Sequence, residues 1–208
     1  MRVGVIGVGS VGTTLGRKLA AGGHEVVMGT RDPDGERAAK ARASLPADVA
    51  ITTMPEACRS SEVVVFAIPG TAMDETVAAL AGDLADKVVV DAANRIGASL
   101  GDTAVMNSFA ILEERAPTAT VFRAFNSLGW ENFADPELGG MRADLLFCGP
   151  DGPARETVER LIADVGLRPV YVGGPETVAL VDAVGALWGA LAFGRAMGRR
   201  LFFKVVTP

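Results

Sequence analysis

The chain has 208 residues, of which 49% are hydrophobic and 22% charged, and a formal net charge of −5. This balance is typical of a soluble protein with one domain and an appendage, or with two small domains. The negative charge comes without a basic run, which argues against a nucleic-acid partner. Two cysteines outside any CxxC pattern and a single histidine cannot build an ordinary His/Cys metal site, so we predict no metal.

The N-terminus carries a glycine motif between a strand and a helix. Residues 3–12 read V-G-V-I-G-V-G-S-V-G and pass into a helix-like stretch at 13–21. This order predicts a dinucleotide-binding turn, in which Gly7 allows the tight turn, Gly9 admits a pyrophosphate and Gly12 lets the helix pack closely. The alternative is a structural glycine turn without a ligand. The predicted cofactor-binding residues of this turn are Gly7, Val8, Gly9, Ser10, Val11 and Gly12.

The next strand ends in Gly29-Thr30-Arg31. At this position an acidic side chain favours NAD, whereas an arginine favours the additional phosphate of NADP. A guanidinium forms charge-assisted, often bidentate hydrogen bonds with phosphate. Thr30 and Arg31 therefore predict NADP(H). The alternative is that Asp32 or Asp34 contacts the ribose while Arg31 is merely solvated.

Apolar strand-length runs alternate with helix-length segments along most of the chain. The alternation predicts an α/β fold, a doubly wound Rossmann-type parallel sheet. His24 precedes a strand, on the side away from the ligand edge of such a sheet, so we predict a structural role for it. Cys148 and Tyr171 lie within predicted strands and are expected to be packed. The predicted strands span residues 3–6, 25–28, 49–52, 63–67, 88–91, 120–123, 145–148 and 169–172.

Three turns at the carboxyl ends of later strands are expected to complete a pocket. Ala67, Ile68 and Pro69 form an apolar turn suited to lie along a dinucleotide. Asn94 could bind a ribose, the nicotinamide amide or only its own turn. The turn after the sixth strand combines polar groups with aromatic rings, which suits a ring-shaped substrate. The alternative is that Phe125 and Trp130 are core anchors and that Asn126 caps a turn. The predicted substrate residues after the sixth strand are Asn126, Ser127, Leu128 and Trp130.

The C-terminal segment from 176 to 199 is strongly apolar. Asp182 and Arg195 interrupt it, so we predict a buried helix that closes the cleft rather than a membrane span. Gly185 and Gly189 allow a close approach, either of a second subunit in a homodimer or of the Rossmann part. We expect an NADP-binding domain at 1–172, a C-terminal helical segment at 173–208, a cytoplasmic location and no membrane contact.

The ordered motifs at 7–12, 29–33, 67–69, 124–126 and 198–205 resemble those of the NADP oxidoreductases that depend on the deazaflavin coenzyme F420. The resemblance covers nearly the whole chain. It implies that a hydride passes between NADP(H) and a deazaflavin stacked in a cleft that the C-terminal part closes. It further implies that residues 67–69 flank the nicotinamide and that residues 126–128 approach the deazaflavin. The same N-terminal module occurs in pyrroline-carboxylate reductases and metalloreductases, so it specifies the cofactor better than the acceptor.

Two positions near the expected acceptor depart from that family. Asn126 stands where studied members carry a histidine, and Gly70 stands where they carry a polar or aromatic residue. No acid/base pair is evident, which is compatible with transfer between two cofactors because the nicotinamide carries the chemistry. The same absence counts against a ketone or imine that must receive a proton from a side chain. The alternatives are an NADPH-dependent imine reductase and a non-catalytic NADP(H)-binding sensor.

Overall fold

A computed structural model describes residues 1–95 and 106–208 as an eight-stranded sheet with helices on both faces and a separate short hairpin. The predicted strands are confirmed to within two residues at either end. The strands are β1 (Arg2–Ile6), β2 (Glu25–Thr30), β3 (Ala50–Thr53), β4 (Val63–Phe66), β5 (Val88–Asp91), β6 (Thr120–Arg123), β7 (Glu137–Leu138), β8 (Met141–Arg142), β9 (Asp144–Cys148) and β10 (Arg168–Gly173). The helices are α1 (Ser10–Ala21), α2 (Glu36–Arg42), α3 (Met54–Arg59), α4 (Met73–Leu80), α5 (Phe109–Arg115), α6 (Trp130–Ala134), α7 (Pro153–Val165) and α8 (Val178–Gly189).

The strand order is β10-β9-β6-β5-β4-β1-β2-β3. The strands from β3 to β6 follow the doubly wound Rossmann order. The topological switch point, where the order of strands reverses, lies between β1 and β4. The Rossmann-type prediction is confirmed. The sheet is mostly rather than wholly parallel, because β9 runs antiparallel to β6. The segment between them holds only the five-residue α6 and the β7–β8 hairpin instead of a full crossover helix, which parallel neighbours require.

Both faces of the sheet are buried under helices. In β4, Val63 and Val65 pack with α1, α6 and α7, whereas Val64 and Phe66 pack with α3, α4 and α5. This alternation follows from the two-residue period of a strand. Both thiols are buried, as expected for Cys148, and burial raises the pKa of Cys148 to about 11. The strand ends are thus held in a rigid frame.

His24 and Tyr171 have structural roles. The Nε2 atom of His24 lies 2.8 Å from a carboxylate oxygen of Asp164 on α7, at the sheet edge opposite the strand ends. Tyr171 donates its hydroxyl to the carbonyl of Gly149 at 2.9 Å. Both predictions for these residues agree with the structure.

A continuous helical segment spans Pro175–Gly194, with α8 at its centre and a π-helical turn at Ala190–Gly194. By length and composition alone it could cross a membrane, although a soluble core helix can pass the same test. Only one face is buried, through Val181, Asp182, Gly185 and Trp188. Leu180 and Leu187 on the other face are exposed, so the prediction of a buried helix is correct for one face only.

The C-terminal tail returns from this helix to β9. Trp188 donates its indole N–H to the carbonyl of Leu201 at 2.9 Å. The buried carboxylate of Asp144 accepts hydrogen bonds from Arg168 at 2.7 Å, from Lys204 at 2.6 Å and from the backbone N–H of Val205 at 2.7 Å. Burial acts to raise the pKa of Asp144, but these hydrogen bonds overcome it and lower the pKa to about 2.

We expect Asp144→Asn to destabilise the protein by about 2 kcal/mol near neutral pH, measured by urea unfolding. Because the folded pKa is depressed, the stabilisation is present above the unfolded pKa and is lost as pH falls towards the folded value of about 2. The two proteins should therefore converge in strong acid. The exposed Asp48→Asn is the matched control. An equal difference at neutral and strongly acidic pH would contradict this account.

The exposed face of α8 is the surface through which the expected homodimer would form. The homodimer stays a prediction. Leu180 and Leu187 lie two turns apart on that face, and no described residue outside the helix's own backbone comes within 4 Å of the position of a Cβ on Gly189. If the face pairs with a second copy, light scattering at micromolar concentration should give twice the chain mass. Leu187→Glu should then return the mass to that of one chain, whereas a monomeric wild type would refute the dimer.

Candidate active site

A cavity of about 760 Å³ opens at the carboxyl ends of β1, β4, β5 and β6. This volume is within the range of small-molecule sites. The cavity begins at the glycine turn and continues to the turns after β4, β5 and β6, as the strand order requires. Ten predicted site residues line it, namely Gly9, Ser10, Val11, Ala67, Ile68, Pro69, Asn94, Asn126, Leu128 and Trp130.

The three glycines of the motif meet three different constraints. Gly7 has a φ of 120°, and a Cβ there would overlap the carbonyl of Ala67. A Cβ on Gly12 would overlap the carbonyl of Gly7, so α1 can pack closely only with glycine at this position. Gly9 precedes α1, and a Cβ there would have no neighbour within 4 Å among the described residues. No side chain in the described part of the chain caps the helix, so its first N–H groups remain available to an anion.

Thr30 and Arg31 lie at and just beyond the end of β2, outside the main cavity. The Arg31 side chain is exposed, and no described residue forms a hydrogen bond or an ion pair with it. The neighbouring Asp32 carboxylate packs against Gly35, directly before α2. Arg31 is therefore available to bind a phosphate, and Asp32 is turned towards the helix.

Arg123 at the end of β6 is fully buried, and each of its five N–H groups has an acceptor. Its Nε donates to Asp182 on α8 at 2.8 Å. Nη2 donates to the side chain of Asn94 at 2.7 Å and to the carbonyl of Met106 at 3.1 Å. Nη1 donates to the carbonyls of Asp91 and Ala93. One guanidinium thus connects β5, β6 and the C-terminal helix beneath the cavity.

Two buried carboxylates share this guanidinium. Asp91 lies 3.2 Å from Nη1 of Arg123 and also accepts from the backbone N–H groups of Ala93 and Ser108. Burial raises the pKa of Asp91, against the lowering effect of Arg123. Asp182 accepts from Asn107 at 2.7 Å in addition to Arg123. Sequence analysis missed this cluster, since its members lie far apart along the chain.

Asn94 and Asn126 complete a closed ring of hydrogen bonds with Arg123 and Asp182. Arg123 donates to Asn94, and Asn94 donates to the backbone carbonyl of Asn126 at 2.7 Å. The amide nitrogen of Asn126 donates to Asp182 at 3.3 Å. The ring thus fixes the orientation of the Asn94 side chain, which also lines the cavity. None of the three roles that the sequence suggested for Asn94 included this network.

The turn after β6 is strained where it meets the cavity. Phe125 is buried with a φ of 60°, in the left-handed region that non-glycine residues seldom adopt. Its ring packs edge-on against Phe133 with centroids 5.6 Å apart. A Cβ on Gly185 would lie 3.2 Å from the carbonyl of Asn126, so this glycine lets α8 approach the turn. The close approach of α8 at Gly185 is to the Rossmann part.

Aromatic side chains of the C-terminal segment cover the other side of the cavity. Trp188 and Phe193 line it and pack edge-on with centroids 5.7 Å apart. The Arg199 guanidinium lies over both rings, 5.7 Å from the Trp188 centroid and 5.3 Å from that of Phe193. Glu131 on α6 pairs with Arg199 and holds it there. These cavity residues were not predicted.

Gly70 is fixed by its neighbours. A Cβ there would lie 2.5 Å from the backbone nitrogen of Arg95, so a larger residue requires the turn after β5 to move. Arg95 lines the cavity and pairs with Asp74 on α4. Gly70, which departs from the family pattern, therefore permits a close contact between the turns after β4 and β5.

Some predicted residues lie outside the main cavity. Ser127 does not line it, and its buried hydroxyl has no partner among the described residues. Val8 lines a second cavity of about 340 Å³ beside the glycine turn, together with Arg17 and Lys40. Within residues 1–95 and 106–208, no group of three or more His, Cys, Asp or Glu side chains could hold a metal ion.

Comparison with known proteins identifies the N-terminal module. Residues 2–95 match the family model described as NADP oxidoreductase, coenzyme F420-dependent. The match covers slightly less than half of the chain. The F420-dependent NADP reductase of Methanothermobacter thermautotrophicus is 27% identical over 205 residues, covering 88% of this chain and 86% of that protein. The predicted resemblance, to a family of NADP-dependent oxidoreductases, is confirmed.

Two further relatives extend the comparison. A crystal structure from Arthrobacter sp. FB24, provisionally assigned as an F420-dependent NADP reductase, has a TM-score of 0.82 and 26% identity and covers 99% of both chains. The metalloreductase STEAP3 of Rattus norvegicus is 29% identical over 184 residues. The present chain covers 36% of that protein's length, so the two share one module.

We expect Arg123→Lys to destabilise the protein by roughly 2–4 kcal/mol in urea unfolding. An ammonium has three donors and no planar fork, so it leaves buried acceptors unpaired. Arg115→Lys, on the exposed end of α5, is the control and should be neutral. A variant at position 123 as stable as this control would show that the network contributes little to folding.

Proposed function

We propose that the protein transfers a hydride between NADP(H) and a flat ring acceptor, with the deazaflavin coenzyme F420 as the first candidate. The observation that carries the proposal is the continuity of the cavity. It runs from a glycine turn suited to a diphosphate to a compartment between Asn126 and the aromatic pair Trp188 and Phe193. Such a cavity can accommodate a dinucleotide and a second ring in contact.

The residues present fit an NADP dinucleotide. The first N–H groups of α1 and the open side of Gly9 suit its diphosphate. Arg31 is available for the additional phosphate, and Arg17 and Lys40 add positive charge beside the glycine turn. The apolar turn at 67–69 would lie along the nicotinamide ring. NADPH supplies a hydride, which a deazaflavin takes up at a ring carbon together with one proton from solvent.

The ionisable groups in the cavity favour transfer between two cofactors. Among its described lining residues these groups are Arg95 and Arg199. Arginine stays protonated in proteins and does not serve as an acid at neutral pH. Reduction of an imine or a ketone requires a positioned proton donor, and the described lining residues include no Asp, Glu, His, Lys, Tyr or Cys. The protein's contribution is alignment of two rings and exclusion of water, to which the aromatic cover is suited.

The reaction is tested by mixing the protein with NADPH and oxidised F420 and following the loss of deazaflavin absorbance. We expect bleaching that depends on the protein and is faster with NADPH than with NADH. Tight NADPH binding without bleaching would refute the F420 assignment. A screen of flavins and cyclic imines would then separate another acceptor from a protein that only binds NADP(H).

We expect Arg31→Ala to weaken NADPH binding by roughly tenfold to a hundredfold, since a hydrogen-bonded charge contact contributes about 1.5–3 kcal/mol. NADH binding should change little, because NADH lacks the additional phosphate. Calorimetry with both nucleotides measures this. The exposed Arg37→Ala on α2 is a control. Equal losses for both nucleotides, or none for NADPH, would contradict the assignment of Arg31.

A further inference from the structure

The directions of the hydrogen bonds in the ring beneath the cavity determine which side-chain atom of Asn126 is available to a ligand. A guanidinium only donates and a carboxylate only accepts. Arg123 and Asp182 therefore fix the direction of every bond in the ring. Because Asp182 accepts, Asn126 must turn its amide nitrogen towards it, at 3.3 Å. The side-chain oxygen of Asn126 must then face the other way.

That oxygen is a buried acceptor with no donor among residues 1–95 and 106–208. Asn126 is 4% exposed and lines the cavity, and no described residue donates to its Oδ1 atom. A buried acceptor left unpaired is costly, and most such groups in folded proteins have a partner. The alternative orientation of the amide would place its oxygen against the Asp182 carboxylate. Rotation of the side chain therefore does not resolve the unpaired acceptor.

We infer that Asn126 accepts a hydrogen bond from an N–H group of the bound ring system, and that Asp182 is a positioning residue which fixes Asn126 as an acceptor. This inference rests on the proposed function and specifies its ring site. Two sources supply the required chemistry, the carboxamide of the nicotinamide and an imide N–H of the acceptor ring. Asp182 acts through Asn126 and needs no contact with a ligand.

Substitutions at Asp182 distinguish the effect of its hydrogen-bond acceptors from the effect of its negative charge. In Asp182→Asn the new side-chain oxygen can still accept from Arg123 and Asn126, while its nitrogen replaces the oxygen that faces Asn107. Asn126 then keeps its orientation. Asp182→Leu removes every acceptor at this position, so the Asn126 amide is free to rotate. In both variants Asp91 still neutralises Arg123. Asn126→Leu removes the acceptor itself and leaves the ion pairs intact.

The test compares ligands that differ by one N–H group. The first pair is NADP⁺ and its 3-acetylpyridine analogue, in which a methyl ketone replaces the carboxamide. The second pair is a 5-deazaflavin and its N3-methyl derivative, added to the protein saturated with NADP⁺. Dissociation constants come from quenching of Trp130 and Trp188, both of which line the cavity. This readout needs no turnover.

The wild type should prefer the N–H ligand by roughly tenfold in one of the two pairs, and that pair identifies the source of the donor. Asp182→Asn and the remote control Asp164→Asn should keep the preference. Asp182→Leu and Asn126→Leu should reduce it to about twofold or less. A general loss of packing would weaken both members of a pair alike and leave their ratio unchanged.

Four results overturn the inference. The first is no preference in either pair for the wild type, and the second is an undiminished preference in Asn126→Leu. The third is an undiminished preference in a folded Asp182→Leu, and the fourth is loss of the preference in Asp182→Asn. If Asp182→Leu does not fold, Asn126→Leu tests the acceptor and Asp182→Asn tests the role of Asp182. The proposed function fails separately, by absence of any NADP⁺ binding to the wild type.

Discussion

The fully buried guanidinium of Arg123 is the interaction on which the arrangement of the site depends. Its five donors fix the end of β5, the side chain of Asn94, the backbone at Met106 and, through Asp182, the helix that covers the cavity. A guanidinium cannot lose its proton at physiological pH and has no acceptor atoms, so each partner must present an oxygen. One group of fixed geometry therefore aligns the strand ends beneath the cavity with the helix that covers it.

The two ends of the cavity are built on different physical principles. At the glycine turn, backbone N–H groups and the absence of side chains leave room for charge, and the constraints are steric at Gly7 and Gly12. At the ring end, side-chain polarity sets the orientation of Asn94 and Asn126, and Trp188 and Phe193 pack edge-on along the cavity wall. The first principle is common to many nucleotide-binding proteins. The second is where selectivity for the proposed acceptor would reside.

Local signals explain which features the sequence could predict. Strand periodicity, the glycine spacing and the position of polar residues directly after strands are encoded within a few neighbouring residues, and they located β1 to β6, the glycine turn, Asn94 and Asn126. Arg123 could not be recognised, because an arginine in a strand is ordinarily expected at the surface, and its partner Asp182 is 59 residues away. The antiparallel β9 and the exposed face of α8 likewise follow from tertiary packing. Ser127, predicted from its position beside Asn126, does not line the cavity, and the orientation of a single side chain in a turn is set by tertiary packing.

The contact between Gly70 and Arg95 makes two distant turns interdependent in evolution. A side chain introduced at position 70 cannot be accepted until the backbone at 94 and 95 has shifted, and that backbone carries Asn94 into the ring with Arg123. Residues taken from a relative and grafted one at a time onto this scaffold would therefore be rejected, although the same residues could be tolerated as a set. A larger residue at position 70 therefore requires a matching change in the turn after β5.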